Sequence, residues 1–193
     1  GARLGTSKTS ISYHFQSKEG LVQEVYDQAL AFSETALQKA ESEGTGRSAL
    51  LAFVRAHIEA HARSLMGQRA PLALLGDLPI LPSAVTDFTQ PRYKALIHGI
   101  YALFLRGRSD GSINVPSAHA SCFFILNILH WLPRWLGSVR LPDQEAETLA
   151  LLDVLERGIA QPGLKPWSRP INRDGGPTLE GIFDAKTRNA MKR

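Results

Sequence analysis

From Lys18 to about Gln161 the apolar side chains return every three or four residues, and nowhere do they alternate. A period near 3.6 selects helices, and no β-branched run bounded by turn residues and no internal repeat competes with it, so the chain is predicted to be all-α. Leu21, Val25, Ala29, Phe32, Ala36 and Leu37 form one apolar stripe, closed by Gly44 and Gly46. A second helix follows in RSALLAFVRAHIEAHARSLMG, with Leu50, Leu51, Phe53, Val54 and Ile58 apolar and Arg55, Glu59 and Arg63 on the other side. Pro71 is placed to open a short helix over PLALLGDL, which Pro79 and Pro82 stop.

Another long pattern starts at Ser83 and carries Leu96, Ile97, Ile100, Tyr101, Phe104 and Leu105 to about Arg108, where the turn SDGSINVP ends it. Pro91 inside this run predicts a kink or a break. From Cys122 to Leu132 the chain is apolar almost all round, which predicts a helix buried on every face. Asn127 and His130 interrupt that stretch, and it is shorter than the roughly 18–20 apolar residues a membrane span requires, so no membrane partner is expected. Pro142 and Asp143 then start DQEAETLALLDVLERGI, with Leu149, Leu152 and Leu155 as its stripe.

Charge divides the chain. Residues 1–163 hold 15 basic and 15 acidic side chains; residues 164–193 hold 7 and 3, which accounts for the whole net charge of +4 (7 − 3). Within the neutral part, positions 1–18 contain Arg3, Lys8 and Lys18 and no acid. A balanced body with a local basic element suits anion contact at one end better than a uniformly cationic protein. The one cysteine, Cys122, cannot form an internal disulfide, and together with the absence of a leader this points to a reducing, cytoplasmic setting.

The segment ARLGTSKTSISYHFQSKEGL at 2–21 carries the chemistry. Gly5 follows Leu4 where a helix should end, Thr6 or Ser7 can cap a new short helix, and Phe15-Gln16-Ser17 leads into the long helix of Lys18. The short helix offers Ser7, Lys8, Thr9, Ser10, Ser12, Tyr13 and His14, a set of donors suited to phosphates and base edges. Lys18 adds a cation beside the capped start of the next helix.

These residues resemble the second half of the helix-turn-helix of the TetR/AcrR family of bacterial transcriptional regulators. Gly5, Ser7, Lys8, Tyr13, His14, Phe15, Ser17, Lys18, Glu19 and Leu21 match its pattern of Gly turn, Ser-Lys start, aromatic recognition helix and Ser-Lys-Glu opening. The resemblance implies that Ile11 and Phe15 seat the recognition helix and that Ser7, Lys8, Thr9, Ser10, Ser12, Tyr13, His14 and Lys18 face DNA. Ser12 stands where the family usually has a Tyr that contacts the backbone, which weakens one phosphate contact. The family's first helix and most of its second would precede Gly1, and they are expected in the intact protein.

ILHWLPRWLGSVRLPDQEAETLALLDVLERGI is similar to the last two helices of many members, which pair with their copies in a four-helix dimer interface. The resemblance thus implies a homodimer through Phe124, Ile128, Trp131, Trp135, Leu149 and Leu152. It implies three regions: a helix-turn-helix remnant at 1–22, a TetR-type helical ligand-binding and dimerisation domain at 23–160, and a Pro/Gly-rich linker with a basic arm at 161–193. Phe53, His57, His61, Tyr101, Phe104 and Phe123 are candidates to line an effector pocket.

His57 and His61 lie one helical turn apart, a spacing that can hold a metal, but no third ligand is predictable, so no metal and no cofactor is expected. No nucleophile elbow, phosphate loop or paired carboxylates point to an enzyme. FDAKTRNAMKR is similar to the lead-in to a TetR-type first helix, which raises a continuation into a second module; the alternative is a solvated basic helix. The expected function is a repressor that binds double-stranded operator DNA as a homodimer and is released by a small apolar or amphipathic effector. The competing expectation is a dimeric helical sensor or adaptor that does not read DNA.

Overall fold

The computed structural model describes residues 17–138 and 144–160, and these form five α-helices and a 3-10 turn with no strand among them. The helices are α1 (Lys18–Glu41), α2 (Gly46–Leu65), α3 (Ser83–Ser109), α4 (Ala118–Leu136) and α5 (Gln144–Ala160), with the 3-10 turn at Leu75–Ile80. The expectations that fall on residues 1–16, 139–143 and 161–193 lie outside the described residues, and with them the DNA-facing Ser7, Lys8, Thr9, Ser10, Ser12, Tyr13 and His14. No described helix is long and apolar enough to cross a membrane.

Polar side chains define where the helices begin. Ser17 Oγ accepts from the Gly20 amide at 3.0 Å and starts α1. At α2 the Thr45 hydroxyl accepts from the Ser48 amide at 3.1 Å, while Ser48 Oγ accepts from the Thr45 amide at 3.0 Å. This reciprocal pair satisfies donors the helix itself cannot use. Two further caps come from the other end of the domain: Asp110 accepts from the Gly46 amide at 2.7 Å, and Ser112 Oγ from the Arg47 amide at 3.0 Å. The turn that ends α3 therefore also begins α2.

That arrangement needs the backbones to touch. A Cβ on Gly46 would lie 2.1 Å from the Gly107 nitrogen and 2.7 Å from the Leu103 carbonyl oxygen, so neither helix carries a side chain at the crossing. Around it the core assembles from all five helices, including Leu30, Leu50, Phe53, Ile58, Ile100, Phe104, Ile125, Leu132, Leu155 and Ile159. α3 runs in the same direction as α1 and grips it twice. Arg92 makes a two-point contact with Glu34 (2.9 and 2.7 Å) and a bond to Asp27 at 3.0 Å; Arg106 donates to the carbonyls of Glu41, the last residue of α1, and Glu43 just beyond it. A fork-shaped Arg–carboxylate contact fixes orientation as well as distance.

The structure corrects several expectations. In α1 the buried stripe is Tyr26, Ala29, Leu30, Ser33, Ala36, Leu37 and Ala40; Val25 is exposed. No α-helix forms over 71–78, because Gly76 and Pro79 leave too short an uninterrupted run, and a 3-10 turn forms instead at Leu75–Ile80. α3 passes through Pro91 unbroken, with Pro91 and Asp87 both on its exposed side, where water can take the carbonyl that proline leaves unpaired. Within a single chain α4 buries one side, and Phe123, Phe124, Trp131 and Trp135 are exposed. In α5 the core residues are Leu152, Leu155 and Ile159, and Leu149 faces outward.

Replacing Gly46 by Ala should therefore cost on the order of 2 kcal/mol, within the range for overpacked cores. Thermal unfolding should show the midpoint falling by several degrees, while Gly44→Ala, whose added Cβ meets nothing within 4 Å, should leave it nearly unchanged.

Candidate functional site

α1, α2, α3 and α4, with residues 72–75, line a partly open cavity of about 30 Å³, enough for about two water molecules. Its walls are mostly apolar, with Ala29, Phe53, Leu72, Leu75, Leu96, Leu126 and Leu129, but one end is lined by Ser33, His57, His61 and His130. Ser33 comes from α1, His57 and His61 from successive turns of α2, and His130 from α4. The spacing of four residues puts both α2 imidazoles on the inner face, whereas Glu59 between them points to solvent.

The protonation of His57 follows from its partners. Its Nδ1 lies 2.9 Å from the Phe53 carbonyl, which can only accept, so Nδ1 carries the proton. Nε2 is then an acceptor and receives the Ser33 hydroxyl at 3.0 Å. The same hydroxyl lies 3.0 Å from the Ala29 carbonyl, so one proton serves two acceptors. The ring edges of Phe32 and Phe53 pack on the imidazole, with centroids at 5.1 and 4.4 Å. His61 differs. It is only 7% exposed, yet it makes no hydrogen bond among the described residues. His130 also lacks one; its ring lies against Gly76, where a Cβ would come within 2.7 Å of Nδ1.

Burial holds all three imidazoles neutral. Desolvation pushes His57 and His61 down to about 4, with the Arg69 guanidinium adding to the effect at both. The pKa of His130 is also lowered by burial, against the opposing pull of Asp77. Arg69 stacks on Phe32, 4.8 Å from the ring centroid, and has no carboxylate partner among the described residues. No group of three potential ligands that could hold a metal ion is present among the described residues.

Of the six residues expected to line a pocket, the structure brings Phe53, His57 and His61 together at this cavity. Phe104 is buried in the core away from it, Tyr101 packs edge-on to His119 at 6.4 Å, and Phe123 is exposed beside His119. Phe104 shares the buried stripe of α3 with Leu96 but lies about two turns further along it, and Phe123 is on the exposed side of α4. Ser33, His130 and Leu96 were missed from the sequence. The one available signal was a polar residue inside an apolar stripe, which Ser33 is between Ala29 and Ala36.

Two surfaces complete the description. Lys18 is the first residue of α1 and is exposed next to the Ser17 cap. Along α4, Phe124, Ile128, Trp131 and Trp135 form one stripe at steps of four, three and four; Phe124 and Trp131 are each 62% exposed. Ile128, Trp131, Leu132 and Trp135 line an apolar groove with Leu151 of α5. Leu152, expected on that surface, is turned into the core of its own chain, and Leu149 is exposed.

No family model and no curated protein matches the sequence. Solved structures do match the fold. A TetR family transcriptional regulator, PfmR from Thermus thermophilus, is 24% identical with a TM-score of 0.62, over 84% of this chain and 85% of that one. A tetR family regulatory protein from Rhodococcus is 16% identical with a TM-score of 0.64, over 83% and 84%. AibR, solved in complex with isovaleryl coenzyme A and operator DNA, is 19% identical with a TM-score of 0.61, over 78% and 80%. The all-α body thus has the fold of TetR family regulators.

Acid should unfold this protein through the buried imidazoles. Below about pH 6.5 the unfolded chain takes up protons that the folded His57 and His61 refuse until about pH 4. Stability is thus complete above pH 6.5 and is lost as the pH falls, by roughly 1.4 kcal/mol per unit for each imidazole. Urea midpoints measured across that window should fall steeply, and less steeply in His61→Gln.

Proposed function

We propose that this chain is the effector-binding and dimerising body of a DNA-binding transcriptional regulator, and that it acts as a repressor. The observation that carries this reading is the likeness of the helical body to TetR family regulators over about four-fifths of the chain, directly behind the Ser-Lys-Thr-Ser…Tyr-His-Phe…Ser-Lys-Glu segment. Nothing in the described residues suggests catalysis.

Ser7, Lys8, Thr9, Ser10, Ser12, Tyr13 and His14 contact the operator, and Lys18 reaches a phosphate from the start of α1. The Phe124–Trp135 stripe meets a second copy, because two recognition helices must be fixed at the spacing of successive major grooves, roughly 34–36 Å. A small molecule in the cavity of Ser33, His57 and His61 favours the form that does not bind DNA. It can do so only if it binds that form more tightly than the other. AibR, crystallised with both an acyl coenzyme A and operator DNA, supports an effector site and a DNA site on one such body.

A mobility-shift titration on DNA upstream of the protein's own gene tests the reading. Lys8→Ala and Tyr13→Ala should each weaken specific binding by about 1–3 kcal/mol, and Lys18→Ala should weaken binding to all sequences and reduce the salt slope by about one. Binding that ignores sequence and survives both substitutions would leave a sensor that does not read DNA. For the interface, Trp131→Glu places a charge on an exposed position, so the fold should persist while light scattering reports half the mass.

A further inference from the structure

The cavity has an unbalanced chemistry. His61 is more than nine-tenths buried, lines the space, and makes no hydrogen bond among the described residues; His130, half-buried, also lines it without one. With no protein partner, the nitrogens of both rings open onto this space, and polar groups so placed take a hydrogen-bonding occupant there, water or ligand. Among the described residues no Asp or Glu lines the cavity. Beyond the His57 ring lie Phe32 and then the Arg69 guanidinium, which has no counter-ion among the described residues. The other titratable groups nearby are Asp77 of the 3-10 turn, which is engaged by Arg134 at 3.7 Å, and the phenol of Tyr93 against His130.

We propose that the effector is a small amphipathic carboxylic acid whose carboxylate sits between His61 and His130, within the field of Arg69, with its hydrocarbon part against Leu72, Leu96 and Leu129. This rests on the cavity being the effector site. A carboxylate there supplies two acceptors for the imidazole N–H groups and the counter-charge that Arg69 lacks. It also reverses the electrostatics of the pocket: imidazoles held neutral by burial become favoured as imidazolium beside an anion. Binding then favours uptake of a proton by one imidazole, which pairs the carboxylate directly while Arg69 acts from further off.

The space for the hydrocarbon part lies under residues 69–74. This segment has no regular structure and none of its amides donates a hydrogen bond among the described residues; it is held by the side chains of Leu72, Ala73 and Leu74 on the cavity and by Arg69 on Phe32. Lifting it breaks apolar contacts but no backbone ladder, so a ligand larger than two waters can enter at low cost.

Titration calorimetry with butanoate, hexanoate and octanoate, and with the matching alcohols and amines, tests this on the full chain. At least one acid should bind about tenfold more tightly than its alcohol, and the amine weakest. Affinity for the acid should rise from about pH 8 to about pH 6, with net proton uptake read from buffers of different ionisation enthalpy. Arg69→Gln, a half-buried change that leaves the core untouched, should weaken the acid several-fold and spare the alcohol; His61→Gln should abolish the proton uptake. Equal binding of acid and alcohol, preference for the amine, or binding without proton uptake would overturn the acid assignment while leaving the cavity a ligand site. If no member of the three series binds, the effector-site reading itself falls and takes the assignment with it.

Discussion

The contact between Gly46 and Gly107 fixes the direction of α2, and the placement of the cavity follows from that direction. With no side chain at either position, the start of α2 rests on the end of α3, and Asp110 and Ser112 occupy the amides that a helix start leaves open. Measured from Gly46, His57 and His61 lie about 16 and 22 Å along the helix at 1.5 Å per residue. They are therefore delivered to the middle of the domain, opposite Ser33 on α1 and His130 on α4. The position of the polar end of the cavity is set by a joint three to four helical turns away.

α1 is tied to the same frame through arginines. Arg106 holds the carbonyls at its end, and Arg92 clasps Glu34 and Asp27 further back toward Lys18. These pairs are about one-third exposed, so each contributes modest stability; what they supply is orientation, since a bidentate guanidinium accepts few angles. Ser33 lies next to Glu34, within the span that Arg92 clasps, and is turned to the buried side. A change at the Ser33–His57 bond is thus felt by the one helix that also begins at Lys18.

Much of this was legible in the sequence, for reasons that also explain what was not. Helical period and turn residues located every long helix, because burial of one face must repeat at 3.6 residues. The period does not fix which of two adjacent residues is inside: Val25 and Tyr26 both fit, and in the packed domain Tyr26 is the one in the core. Pro91 reads as a breaker by local chemistry, yet an exposed carbonyl pays little for losing its donor. SDGSINVP reads as a terminator, and its second task, capping α2, depends on residues more than sixty positions away. At the cavity, Phe53, His57 and His61 could be named because they share one helix. Ser33 and His130 join them only through packing between helices, which no local pattern encodes.

Of the three tryptophans in the chain, two stand on the exposed α4 stripe, at 131 and 135, and the guanidinium of Arg134 lies over the Trp131 ring at 5.0 Å. Indole emission shifts to shorter wavelength when water leaves the ring and is altered by an adjacent cation. Whatever covers this stripe must dry both rings together. The protein therefore carries its own optical gauge of whether that face is open or occupied, readable at dilution without any label.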